Sequence, residues 1–300
     1  MATPLRVVRP ITLTDAQIVS CNVPEDDAPA YASGTTYAVG DRVLHQHVVY
    51  ESAQASNVGH APEKSPTWWT RLGPSNRWRP FDRSYDSQAE QPDSIIYEIQ
   101  PAEVCTAFAA LNVSGATALI VTMHHPSYGE VYRREFDMAL VPLEPLWWGW
   151  WFSERRAPSQ SLATDLPSFP GATIRIELAG SQGLAVGVIL LGQMSEFGIG
   201  VKQGARVGID DYSRKERNGF GDLELVERAW NKRASFDIPL EWQDVDRLQK
   251  FMAANRATPC LWIGSSRYEA TTIYGTYGNF DIVISYYAYA DCSLELKGLT

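Results

Sequence analysis

From residue 94 to the end, the chain is a succession of short runs in which apolar and polar residues alternate, separated by Gly-containing turns. That pattern restricts the fold more than any other feature. In "ATIRIELAG", Ile174, Ile176 and Leu178 share one face, and Thr173, Arg175 and Glu177 share the other. This is the period of two of a half-buried strand. "GATALIVTM", "GEVYRREF", "ASFDIPL" and "SLELKGL" read in the same way, and many such runs between turns indicate a β-sandwich. The longest apolar run, "GLAVGVILLG", is far shorter than the roughly 20 residues a membrane helix needs, so a buried strand is expected and membrane insertion is not. One segment departs from the pattern. "EWQDVDRLQKFMAANRA" places Trp242, Val245, Leu248 and Met252 on one helical stripe, with acids in the first turn, Arg256 near the end and Pro259 just beyond. The expected fold is all-β: a small aromatic β-module and a larger antiparallel β-sandwich body with one short amphipathic helix.

With 45% hydrophobic residues over 300 positions, the chain can bury a sizeable core without staples. Cys21, Cys105, Cys260 and Cys292 are scattered and form no CxxC pair, which suggests small buried hydrophobes in place of a zinc site or a disulfide framework. The start of the chain lacks the apolar core of a secretory signal and alternates as an edge strand or arm would, so synthesis in a reducing cytoplasm is expected. A net charge of −9 with dispersed acids argues against nucleic acid as the main partner.

Composition divides the chain into three parts. Residues 1–29 read as an N-terminal arm and linker, because "CNVPEDDAPAYASG" is rich in Pro, Asp and Ala without periodicity. Residues 30–82 read as a small β-module, and residues 83–300 as the body. Within the module, "TTYAVGDRVLHQHVVYESAQ" has the pattern of a hairpin with a tight bend at Gly40-Asp41. So small a unit needs an aromatic core, drawn from Tyr37, Tyr50 and one of Trp68 and Trp69, with the remaining rings exposed.

The order Tyr37-x-x-Gly40-Asp41-x-Val43, Val49-Tyr50-x-x-Ala53, Asn57-x-Gly59-x-x-Pro62 and Trp68-Trp69 resembles the small chitin- and cellulose-binding modules of bacterial chitinases. The resemblance covers about one-sixth of the chain, and it implies that exposed rings stack on sugar faces, with Tyr37, Tyr50, Trp68 and Trp69 as candidates. It also has a departure: "SAQASN" stands where that family often carries an aromatic pair. "WTRLGPSNRWRPFD" is similar to the motif that joins such a module to a β-rich body in tail proteins of long-tailed bacteriophages. The segment "DYSRKERNGFGDLELVERAWNKRASFDIPL", "TPCLWIG" and "SLELKGLT" also resemble that group. This second resemblance implies a tail-tip or baseplate structural protein, distal-tail-like or a minor tail component. It would reside in the virion tail, with other tail proteins, copies of itself and host surface glycan as partners.

The residues themselves offer little for catalysis. No GxSxG is present, and the glycines of "GIGVKQGARVG" match neither a dinucleotide nor a phosphate loop. His45 and His47 alternate as if on one strand face, but spacing supplies no third metal ligand, and no metal or cofactor is expected. Asp210 and Asp211 are neighbours that point apart in a strand or turn, so no catalytic residue is assigned. Candidate assembly contacts are Arg214 and Lys215 in a segment of mixed charge, and Trp147, Trp148, Trp150 and Trp151 in "PLWWGWWFSERR". Two alternatives stay open: a free carbohydrate-binding protein, and a tail-associated glycan hydrolase. The hydrolase would need a cleft holding two close carboxylates, one with a raised pKa.

Overall fold

The computed structural model describes residues 3–139, 141–142, 147–152, 155–217, 222–265, 267–284 and 289–299. It is all-β and antiparallel, with one amphipathic helix of several turns. In chain order the strands are β1 (Leu5–Pro10), β2 (Ile18–Cys21), β3 (Arg42–His45), β4 (Val48–Ser52), β5 (Trp69–Pro74), β6 (Ala89–Gln91), β7 (Ser94–Ile99), β8 (Ala107–His125), β9 (Gly129–Asp137) and β10 (Val141–Pro142). There follow β11 (Arg155–Arg156), β12 (Gln160–Ala163), β13 (Thr173–Phe197), β14 (Arg206–Asp211), β15 (Arg214–Arg217), β16 (Leu223–Val226), β17 (Trp230–Glu241), β18 (Cys260–Ile263), β19 (Thr272–Val283) and β20 (Tyr289–Gly298). The helices are α1 (Trp147–Phe152) and α2 (Trp242–Ala254).

The chain divides into two compact units. The C-terminal unit comprises Met1–Ile11, Cys105–Ala107 and Leu191–Thr300, and the module-bearing unit comprises Thr12–Val104 and Phe108–Leu190. Residues 30–82 lie inside the latter.

In the C-terminal unit the strand order is β13 (its last residues), β1, β18, β19, β20, β17, β14. Along β17 the residues Ala234, Phe236, Ile238 and Leu240 are buried, and they face the same core as Leu294 and Leu296 of β20 and Trp262 of β18. The expectation of an edge strand or arm at the start of the chain is corrected here. β1 pairs on one side with β13 and on the other with β18, and Leu5, Val7 and Val8 are fully buried. Arg6, Arg9 and Pro10 gave this run the polar look of an edge. Their backbones nonetheless complete an interior ladder.

Helix α2 buries Leu248 and Met252 and packs Val245 and Phe251 partly against the same core. Trp242, expected on that stripe, occupies the first helical position and is exposed. Asn255 ends the helix: its backbone N–H is donated to the Phe251 and Met252 carbonyls, and its side chain bonds the Phe251 carbonyl again at 2.8 Å.

In the module-bearing unit, β13 pairs with β8, β6 and β7, while β2 joins β7 and β9 and β12 join β8. The alternation read in "ATIRIELAG" is present: Ile174, Ile176 and Leu178 are buried. On the other face Arg175 stands opposite Glu98 and bonds it at 2.6 Å, and it bonds Glu177 at 3.1 Å, while Ser20 donates to Glu98 at 2.7 Å. Those hydrogen bonds, the one from Ser20 first, hold the Glu98 carboxyl below its usual range. β13 and β8 approach closely where both carry glycine. A Cβ on Gly180 would stand 2.2 Å from the Gly115 carbonyl oxygen. Among the cysteines, Cys105, Cys260 and Cys292 are buried and Cys21 is half-buried. Burial pushes the Cys260 thiol up to about 12. Among the described residues, no helix is long and apolar enough to cross a membrane.

Candidate functional site

The segment read as a small module forms a three-stranded sheet in the order β3, β4, β5. Its hairpin bend is not at Gly40-Asp41, which precedes β3. His45 pairs with Val48, so the turn is made by Gln46 and His47, both at positive φ (49° and 64°). Two-residue hairpin turns of this hand favour Asn-Gly or Asp-Gly, so other residues there need outside support. His47 receives it. Its Nδ1 lies 2.8 Å from Glu25 Oε1, its ring packs at 4.8 Å on Trp78, and its carbonyl accepts from the Ser75 backbone N–H at 2.8 Å. His45 instead meets the ring of Tyr31 edge-on at 5.4 Å, so the two histidines serve different neighbours.

Glu25 and Asp27 turn the presumed linker into a latch. Ser75 Oγ donates to Glu25 Oε1 at 2.6 Å, and Arg77 Nε donates to the Val23 carbonyl at 3.0 Å. Asp27 accepts from the Asn76 backbone N–H at 2.9 Å and from Arg79 Nη2 at 3.2 Å. Asn76 exchanges two hydrogen bonds with the backbone of Glu90, and the Tyr97 hydroxyl donates to the Arg77 carbonyl at 2.8 Å. The motif "GPSNRWRPFD" is thus a junction. It ties residues 23–27, the hairpin turn, β6 and β7 together through short polar contacts.

The module's core is Tyr37, Val43 and Trp69, with Tyr31, Tyr50 and Trp68 packed partly against it. Trp69 is 2% exposed, donates Nε1–H to the His60 carbonyl at 2.9 Å and meets Tyr37 edge-on at 5.2 Å. The Tyr37 hydroxyl both accepts from the Ala32 N–H and donates to the Ala32 carbonyl. The buried Asn57 side chain donates to Ser52 Oγ and the Trp68 carbonyl, and its backbone pairs with that of Tyr37. Tyr37 and Trp69, expected among the sugar-facing rings, are core residues with no free face. Trp68 and Tyr50 are half-buried and keep some exposure. Trp68 stacks on His60 at 4.1 Å and 13°, a flat pair that spacing alone did not reveal.

The other candidates lie at the surface. Trp147, Trp148, Trp151 and Phe152 of α1 are each more than 60% exposed. Trp147 meets Trp148 edge-on at 4.9 Å, and Trp148 meets Phe152 at 5.5 Å. The Trp150 side chain lies outside the described residues. In the C-terminal unit, Arg214 and Lys215 lie on β15, which among the described residues pairs with β16 in a two-stranded ribbon whose described residues are all exposed. Arg214 pairs with Glu216, and Lys215 with Asp211 at 2.6 Å. The hydrogen bonds from Lys215 and Ser213 hold the Asp211 carboxyl well below the usual range. Residues 218–221, within the segment singled out for assembly, lie outside the described set. The flanking strands expose Val207, Ile209, Leu223, Leu225 and Trp230.

Among the described residues, no group of three or more His, Cys, Asp or Glu side chains is placed to hold a metal ion. Glu25, Asp27, Tyr31 and His60 escaped sequence reasoning. The first three stand in the stretch taken for a linker, and the partners of the two acids are about 50 residues away. Comparison with protein-family models and with curated proteins finds no match.

Proposed function

We propose that this chain is a structural protein of the tail tip or baseplate of a long-tailed bacteriophage, whose small module contacts host-surface glycan. The observation that carries this reading is the β15–β16 ribbon with its exposed apolar residues. A two-stranded ribbon is marginal by itself in water, and its exposed Leu223, Leu225 and Val226 indicate a contact surface. Copies arranged around a tube would meet through heterologous faces, and a ribbon of mixed charge supplies both adhesion and register. In this reading the chain acts by binding and assembly, and catalyses nothing.

Reversing Arg214 and Lys215 to Glu places each new carboxylate beside Asp211 or Glu216. Both residues are exposed, so the fold of the isolated chain persists. Incorporation into tails should fall at least about tenfold, as expected when a charge-complementary contact is made repulsive. Quantitative mass spectrometry of purified virions reads this directly. Normal amounts of the variant in infectious particles would remove the ribbon from the interface and leave the α1 tryptophans as the surface to test. A virion image by electron cryo-microscopy, labelled on this chain, locates it independently.

The glycan part has its own test. Trp68→Ala should weaken pull-down by host envelope polysaccharide by about tenfold, the scale of one lost aromatic platform. Retained binding would make the module purely architectural.

A further inference from the structure

A concavity lined by none of Tyr37, Tyr50, Trp68 and Trp69 lies on the module. It spans about 1020 Å³ between residues of β3, β4 and β5 and residues 79–87. Val49 pairs with Gly73 but Tyr50 pairs with Arg71, so Leu72 is an extra residue, a bulge. Bulges re-aim side chains, and Leu72, 47% exposed, lines this groove together with Pro74 and Phe81.

The groove is basic although the chain as a whole is acidic. In a chain of net charge −9, its lining holds Arg42, Arg71, Arg79 and Arg83 against only Asp27 and Asp82. Two of these arginines are already engaged, Arg42 with Glu51 at 3.1 Å and Arg79 with Asp27 at 3.2 Å. Arg71 and Arg83 are exposed and make no ion pair among the described residues. Asp82 accepts from the Ser84 backbone N–H at 2.7 Å, and burial pushes its carboxyl above the usual range. Guanidinium groups bind carboxylate and phosphate oxygens bidentately, and low-dielectric walls focus their field into the groove.

We propose that this groove binds an acidic saccharide, with Arg71 and Arg83 taking its carboxylate or phosphate oxygens and Leu72, Pro74 and Phe81 receiving the C–H faces of its sugar units. The inference deepens the glycan-contact part of the proposed function and is independent of the tail position. It rests on groups from residues 71–84, whereas assembly was assigned to residues 206–230.

The test is calorimetry of the full chain with four probes: hexagalacturonate, a ribitol-phosphate hexamer, chitohexaose and inorganic phosphate. One or both anionic oligomers should bind, more weakly as salt rises, and chitohexaose should not compete. Whichever oligomer binds identifies the anion. Arg71→Ala and Arg83→Ala should each lower affinity about tenfold, and together about a hundredfold, as hydrogen bonds between charged groups at separate positions imply. Asp82→Asn removes the opposing charge and should raise affinity several-fold. Circular dichroism checks that each variant is folded. The proposal is overturned if neither oligomer binds, if chitohexaose or free phosphate binds as tightly, or if the arginine variants bind unchanged. Release of reducing ends that Asp82→Asn abolishes would overturn it too, replacing a binding groove with a catalytic one. Failure here leaves tail incorporation of the Arg214/Lys215 variant untouched, so the two readings fall separately.

Discussion

Trp69→Ala should unfold the small module and leave the C-terminal unit intact. Truncating a buried tryptophan costs about 3–5 kcal/mol through lost transfer energy and the cavity left behind. Here the His60 carbonyl also loses its donor, and the edge-on contacts to Tyr37 at 5.2 Å and Tyr31 at 6.0 Å disappear. A segment of this size holds only about 3–8 kcal/mol of stability at ordinary values per residue. One substitution therefore removes most of it. Hydrogen exchange should show protection collapsing at Tyr37, Asn57 and the β3–β5 ladder, while the amides of β17 and β20 exchange as before. Trp68→Ala, at a half-buried ring, should cost only about 1–2 kcal/mol and leave the ladder protected. The contrast separates a core ring from a surface ring. If the two variants exchange alike, Trp69 is not the keystone of this core.

That distinction was only half legible in the sequence. The presence of an aromatic β-module follows from its alternating runs and the Trp pair, as the half-buried face of β13 follows from Ile174, Ile176 and Leu178. Local periodicity reports which residues share a face. It does not report which face is covered, so Tyr37 and the Trp pair stood both as core and as contact rings, and only their hydrogen bonds and burial place Tyr37 and Trp69 inside. The bend at Gln46-His47 was hidden for another reason. Those residues carry no turn signature, and the Gly40-Asp41 pair nearby does. What supports the bend is Glu25 and Trp78, remote in sequence and joined to it only by folding. The groove draws on several separate stretches of chain, none of which has a motif of its own.

The support for that bend makes Glu25 the residue on which the module's attachment turns. Its carboxylate is 14% exposed and takes bonds from Ser75 Oγ at 2.6 Å and His47 Nδ1 at 2.8 Å, with Arg77 Nη1 at 3.8 Å. Glu25→Ala leaves Ser75 Oγ and His47 Nδ1 without their acceptor and removes the carboxylate paired with Arg77, which keeps its bond to the Val23 carbonyl. Because the histidine and arginine are about one-third exposed, water recovers part of the loss, and the cost should be about 2–3 kcal/mol, the range for hydrogen bonds to a charged group. Gln46 and His47 then lose the restraint that holds them at positive φ, so the hairpin end should open first. Exchange at Val48 and Ser75 should quicken by roughly 30- to 150-fold, and proteases should begin to cut within residues 21–34. Glu25→Gln keeps a neutral acceptor and should recover part of the protection. Asp26→Ala, at an exposed neighbour, should change nothing measurable. Among the described residues, Trp69 makes its hydrogen bond and ring contacts to His60, Tyr37 and Tyr31 and none to this cluster, so the amides of the Trp69 core should stay protected in Glu25→Ala: the module comes loose but does not unfold. If residues 21–34 resist proteolysis in Glu25→Ala as they do in the unaltered chain, the acidic stretch is a passive tether and the junction is held by Asp27 and Arg79 alone.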